Sequence, residues 1–199
     1  MPSKATVDLN AFNQDAMLPY SLRVEDFQIA MQDVYDFFYD VNSFFHGKGL
    51  PRFDDSLRAA NMSGMISDML TASVAKHSRG LCQNTFHNGH PDLIVKGRYP
   101  NDSVMAGSEG IEIKTTRRKG AAVDTHGARA QWMCVFVYDI DKTTEPAQDR
   151  RPTHFTGVFL GNVDEADFRR NERGTLGTPT STLHKEGVRK LRSSWIYRL

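Results

Sequence analysis

The segment Gly110-Ile111-Glu112-Ile113-Lys114-Thr115-Thr116 decides the fold of this chain. Side chains of a strand point to opposite faces in turn. Ile111 and Ile113 therefore share one face, and Glu112 and Lys114 share the other, about 7 Å apart along the strand. An isoleucine face calls for burial, so the segment predicts a strand in a sheet covered on that side. Towards the N-terminus, residues 92–96 predict a short strand after the turn signal Asn88-Gly89. Residues 97–107, with Pro100, Asn101 and Asp102, read as loop. Towards the C-terminus, residues 117–129 form a polar, basic connection. Two buried-looking strands follow at 131–140 (Met133, Val135, Phe136, Val137) and 153–163 (Phe155, Val158, Phe159, Leu160). Residues 164–170 and 184–191 predict short helices, and 195–197 a terminal strand.

Before residue 80 the period is helical. Phe27, Met31, Val34, Phe38, Val41 and Phe45 recur three or four apart over residues 24–45, and Phe37 and Phe44 widen the stripe. So many aromatics need a thick partner surface, which is either the core of the chain itself or a dimer interface. Gly47, Gly49 and Pro51 end this helix. A second is predicted from Asp55 or Ser56, both good caps, to His77, with Leu57, Met62, Met65, Ile66, Met69, Leu70 and Val74 as its apolar face. Met31, Met62, Met65 and Met69 read as adaptable core filler. The expected fold class is α/β (α+β), with a central mixed β-sheet of four to six strands flanked by helices. One domain is expected over residues 1–199, with a helical part at about 20–80 and a sheet core at about 85–165. Residues 143–152 and 174–182 are expected to be loops within it.

Composition narrows the classes. The 199 residues carry a net charge of +1, so the sum does not demand nucleic acid, but the distribution is polar-ended. Residues 1–60 hold nine acids against five bases, whereas residues 166–199 hold eight bases against three acids. A basic end can face phosphates or simply be a solvated surface. Two cysteines make a disulfide framework improbable and a reducing compartment the default. The first 15 residues lack a secretion-signal profile, and no apolar run approaches the length of a membrane span. A cytoplasmic protein without a membrane segment is the expectation.

The chemistry collects on the polar face of strand 110–116. If Asp92 begins the neighbouring strand, its carboxylate meets that of Glu112, and two converging carboxylates make an oxygen-rich pocket suited to Mg²⁺, with Mn²⁺ as a substitute. The Ile113 backbone carbonyl is a further candidate ligand. Lys114 beside them can hold a water near a phosphate and stabilise developing negative charge. The competing reading is a surface ion pair between Glu112 and Lys114 on an amphipathic strand. Cys82, His87 and His90 have spacing loosely compatible with zinc, with Cys134 or His126 needed to complete a set. The other reading of 87–90 is a polar turn that leaves His90 beside the acidic pair. Residues 107–110 do not make a phosphate-cradling loop, so no nucleotide cofactor is expected.

Pro91-Asp92 followed by Glu112-Ile113-Lys114 resembles the PD-(D/E)xK nuclease superfamily, and the size, preceding helix and strand context resemble a type II restriction endonuclease. The resemblance covers about residues 56–141. It implies a restriction-endonuclease-like core in which Asp92 and Glu112 bind metal and Lys114 is the catalytic lysine. Asp68 matches the acid that many such enzymes carry on the preceding helix. It implies sequence-specific hydrolysis of double-stranded DNA to 5′-phosphate and 3′-hydroxyl ends, by a homodimer on a two-fold symmetric site. Thr115, Thr116, Arg117, Arg118, Lys119, Arg129 and Gln131 are the candidate DNA contacts, as they leave or flank the active strand. Two alternatives stay open: a nuclease of the same core serving repair, recombination or phage DNA processing, and a non-catalytic DNA-binding or assembly protein.

Overall fold

A computed structural model of the chain describes residues 2–171 and 180–199. Its helices are α1 (Val24–Gly47), a short α2 (Phe53–Ser56), α3 (Ala59–His77) and α4 (Lys185–Ser193). Its strands are β1 (Leu81–Gln83), β2 (Leu93–Val95), β3 (Gly110–Thr116), β4 (Asp124–Thr125), β5 (Gln131–Asp139), β6 (His154–Val163), β7 (Phe168–Asn171), β8 (Thr180–Leu183) and β9 (Trp195–Arg198). Six strands form a mixed sheet in the order β1-β2-β3-β5-β6-β9, parallel only at β3–β5. A second, three-stranded sheet runs β4-β8-β7. No helix among the described residues is long and apolar enough to cross a membrane.

The aromatic stripe of α1 is mostly core. Phe27, Met31, Val34 and Phe38 are buried with Met62, Ile66, Leu70 and Val74 of α3, against Ile111, Ile113, Phe136 and Phe155 of the sheet. Phe27 and Phe155 both meet Phe136, at ring centroids of 6.2 and 5.7 Å. Met31 and Met62 are buried here and Met65 and Met69 pack against the cluster, as filler. Phe44, at the far end of the stripe, stays exposed.

The opposite face of the sheet has its own core. Met133, Val135, Val137 and Phe159 pack against Ala121, Val123, Phe168, Leu183 and Leu191, so the small sheet and α4 cover this side. The charged residues of β3 lie on this second face. In the parallel register Glu112 stands beside Met133 and Lys114 beside Val135. The face thus passes from apolar to ionic in one strand step.

The structure departs from the sequence expectations at four places. The second helix breaks at Leu57, which is extended at φ −85° and ψ 142°. The cause lies next door: Asp54 is fully buried, and accepts from Arg52 Nη2 at 2.5 Å and Thr153 Oγ1 at 2.7 Å. Asp55 pairs with Arg150 at 2.8 Å rather than capping a helix. Residues 168–170 of the helix expected over 164–170 belong instead to β7, because pairing Phe168 with Leu183 of β8 buries the phenyl ring in the second core. β1 and β4 were not anticipated. Of the loop expected over 174–182, residues 174–179 lie outside the described residues, and 180–182 belong to β8.

Gly110 lets β2 approach β3. Its φ is +150°, and a Cβ there would lie 2.0 Å from the Leu93 carbonyl oxygen and 2.7 Å from the Pro91 ring. Gly110→Ala is expected to push β2 off β3 and cost at least about 2 kcal/mol in urea unfolding. Unchanged stability would mean that the two strands are not held this closely.

Candidate active site

The ladder between β2 and β3 is short. Leu93 pairs with Ile111 and Ile94 with Gly110. One dyad further, the same register sets Pro91 across from Ile113, and proline has no N–H to contribute. The ladder stops there, and the backbone groups of Ile113 turn to side chains instead. Its N–H donates to Asp92 Oδ2 at 2.8 Å, and its carbonyl accepts from Ser67 Oγ of α3 at 3.1 Å. The Pro91-Asp92 pair therefore ends a ladder and supplies the carboxylate that replaces it.

This bond brings Asp92 to the polar face of β3. Lys114 Nζ lies 2.5 Å from Glu112 Oε1, and His90 Nδ1 lies 2.8 Å from Glu112 Oε2. The His90 contact is close but off the line of a hydrogen bond, so Oε2 is buried with its acceptor capacity unused. Glu112 is 8% exposed, which excludes the surface ion-pair reading. These groups floor a cleft of about 690 Å³, whose far wall is Thr125, His126 and Gly127 at the end of β4. Thr125 Oγ1, with one proton to share, lies 2.7 Å from Gly127 O and 3.2 Å from Ser181 O and ties that wall to β8.

Electrostatics set the protonation states. Burial and the neighbouring Glu112 charge raise the Asp92 carboxyl to about 6, against the pull of Lys114 and the Ile113 N–H. Burial would raise Glu112 too, but His90 and Lys114 outweigh it and hold its carboxyl below the ordinary range. Burial works against the Lys114 charge, yet Glu112 and Asp92 win and raise its pKa, so it is an ammonium. Two buried carboxylates thus face a single buried ammonium.

Asp92 and Glu112 are the carboxylates that a divalent cation would take as ligands here. Among the described residues no three His, Cys, Asp or Glu side chains converge at metal-ligand spacing. The donor set here is instead two carboxylates and the second lone pair of the Ile113 carbonyl, with room for water. This suits Mg²⁺, which keeps several waters and takes one or two carboxylates. Cys82, His87 and His90 are not brought together. The Cys82 thiol donates to Ile94 O, burial pushes its pKa up to about 11, and His90 faces Glu112.

The other predicted residues divide. Arg129 and Gln131 line the cleft, and Gln131 Oε1 is buried there without a hydrogen bond. Thr115 and Thr116 are structural: Thr115 Oγ1 donates to Ser63 O at 2.7 Å on the helix side, and Thr116 Oγ1 accepts from Arg118 N at 3.0 Å. Arg117 and Lys119 line a separate groove, and Arg118 is exposed outside both. Asp68 is exposed on α3 and does not line the cleft. Ser67 meets the active strand in its place, a residue with no sequence signal of its own. His90 and the β4 wall complete the site. The Asn88-Gly89 turn hinted at the first, and nothing hinted at the second.

The raised Asp92 pKa has a stability sign. The native state prefers the protonated acid, so the cost of ionising Asp92 is absent below the unfolded value near 3.8 and fully present above about 6. Without divalent metal, Asp92→Asn is expected to stabilise the protein at pH 8 by about 1–3 kcal/mol, or several degrees in Tm. The gain is expected to vanish as pH falls towards 4. A Tm gain that does not vary with pH would show that the carboxylate is not under this strain.

Comparison of the chain with protein-family models, with curated proteins and with solved structures finds no match in any of the three.

Proposed function

We propose that this chain is a Mg²⁺-dependent endonuclease for double-stranded DNA, with a restriction-endonuclease-like core of the PD-(D/E)xK type. One observation carries the reading: Asp92, Glu112 and Lys114, separated by up to 22 residues in sequence, line one cleft in which two buried carboxylates stand beside a buried ammonium. The reaction is attack of water on phosphorus in line with the P–O3′ bond. That bond breaks, the water loses a proton, and the 3′ oxygen gains one, leaving a 5′-phosphate and a 3′-hydroxyl. Asp92, Glu112 and the Ile113 carbonyl would hold Mg²⁺, which when bound would supply Lewis-acid charge for the phosphate and the attacking water. Lys114, fixed as an ammonium by both carboxylates, orients a water or a phosphate oxygen and offsets developing negative charge. Ser67 and Asp92 hold Ile113 from carbonyl and amide, which keeps β3 in place as charge moves. Arg129 at the cleft mouth and Gln131 inside it suit phosphate and base-edge contacts. The restriction-type reading adds a homodimer, with two such clefts cutting the two strands of a symmetric site. The exposed Phe44 and Leu50, at and just past the end of α1, supply apolar surface for that pairing.

Digestion of a complex DNA with Mg²⁺, followed by sequencing of the ends, tests this directly. Wild-type protein is expected to cut, EDTA to stop it, and Mg²⁺ or Mn²⁺ to restore it. Lys114→Ala and Asp92→Ala are each expected to lower the rate at least about 10²-fold, with the fold intact by circular dichroism. Ends at one recurring sequence fit restriction, and scattered ends fit the repair or phage alternative. DNA binding without cleavage of any substrate by the wild type would sink the nuclease reading.

A further inference from the structure

Five cations meet at the end of the sheet where β3 and β5 finish and β6 begins. Arg117 and Lys119 follow β3, Arg151 precedes β6, Arg192 comes from α4 and Arg198 from β9, and they line a groove of about 530 Å³. Asp139 lines it too, 3.8 Å from a largely exposed Arg151 that also lies 3.9 Å from Asp141. Among the described residues Arg117, Lys119, Arg192 and Arg198 have no carboxylate within ion-pair distance. In a chain of net charge +1 this gathering is not a by-product of basic composition.

The cations are also held in place. The Arg192 guanidinium sits 5.3 Å from the Phe159 ring centroid, and its Nη1 donates to Lys119 O at 2.7 Å. Arg117 Nη2 donates to Ile140 O at 3.4 Å. Like charges fixed together raise the energy of the folded state unless an anion offsets them. The groove lies at the end of the sheet and draws on both faces: Val137 and Phe159 of the second core line it, and so does Tyr138 of the first. Arg117 is three residues past Lys114, roughly 10 Å along the strand, or about three base steps at 3.4 Å each.

We propose that this groove binds the phosphodiester backbone of DNA flanking the active-site cleft. A repeating anion fits cations spread over several elements better than one phosphate does. The choice of duplex DNA rests on the nuclease reading, whereas the ligand chemistry rests on the groove itself.

The test is fluorescence anisotropy of a 30-base-pair duplex, with Ca²⁺ in place of Mg²⁺, across a salt series. Lys119→Gln with Arg198→Gln removes two exposed cations of the groove. Lys76→Gln with Lys185→Gln is the charge-matched control on exposed sites outside it. The groove pair is expected to weaken binding on the order of tenfold near 0.1 M salt and to reduce the salt slope by about 2, with the control unchanged. Wild-type duplex binding that is absent, or equal in the groove pair, overturns the groove and leaves any observed cleavage standing. Groove-dependent binding with no cleavage in Mg²⁺ keeps the groove and sinks the nuclease reading. Inorganic phosphate that shifts the arginine Nε resonances of a groove on which duplex affinity does not depend overturns a backbone site in favour of a free anion.

Discussion

The hydrogen bond from the Ile113 N–H to the Asp92 carboxylate connects the scaffold to the site. The Pro91 carbonyl, which could have accepted from that N–H, is taken by Asn84 Nδ2 at 3.0 Å, and Pro91 has no N–H for the Ile113 carbonyl, so the β2–β3 ladder ends there. A buried amide must find a partner, and here it finds a carboxylate that the chain delivers from the start of β2. The same bond sets Asp92 near Glu112, which raises one carboxyl while Lys114 and His90 hold the other ionised. Backbone satisfaction and the electrostatics of the cleft are thus one arrangement.

The two faces of the sheet make this arrangement tolerable. The helix side is mostly apolar, and α1 and α3 cover it with aromatics and methionines. The other side is apolar only under the small sheet and α4. At β3 that cover ends, and Glu112 and Lys114 meet a cleft rather than a core. The low-dielectric wall of Met133 and Val135 beside them strengthens each charge interaction in the cleft. Burial and ion pairing therefore act on the same three side chains with opposite signs, and the ammonium of Lys114 is kept charged by its neighbours despite its burial.

Much of this was legible in the residues. Strict alternation was enough to place Glu112 and Lys114 on one face, and the long α1 and α3 stripes were enough to identify the covering layer. The sixfold mixed sheet fell within the expected range of strands. Other parts carried too little signal. β1 has three residues and β4 two, too few for periodicity to register. Asp68 was favoured by chemical type, but helical phase decides: with Met62, Ile66 and Leu70 facing the core, Ser67 turns to β3 and Asp68 to solvent. Thr115 shares its face with Ile111 and Ile113, so the alternation that located the site also removes it from the site. Arg117 and Lys119 of the basic groove were singled out in the sequence, but their meeting with Arg151, Arg192 and Arg198 was not, because these come from distant parts of the chain and meet only after folding.

The β4 wall has a consequence for how such a chain can change. The groups that hold the acid pair hang from the large sheet, whereas Thr125, His126 and Gly127 hang from the small one, anchored to Ser181. What enters the cleft and what happens inside it are governed by different pieces of polypeptide. His126 of the wall is exposed and free of the ladder, the buried carboxylates and both hydrophobic layers, whereas Thr125 is buried against β8. The fold thereby separates the part of the molecule that is free to diverge from the part that is not.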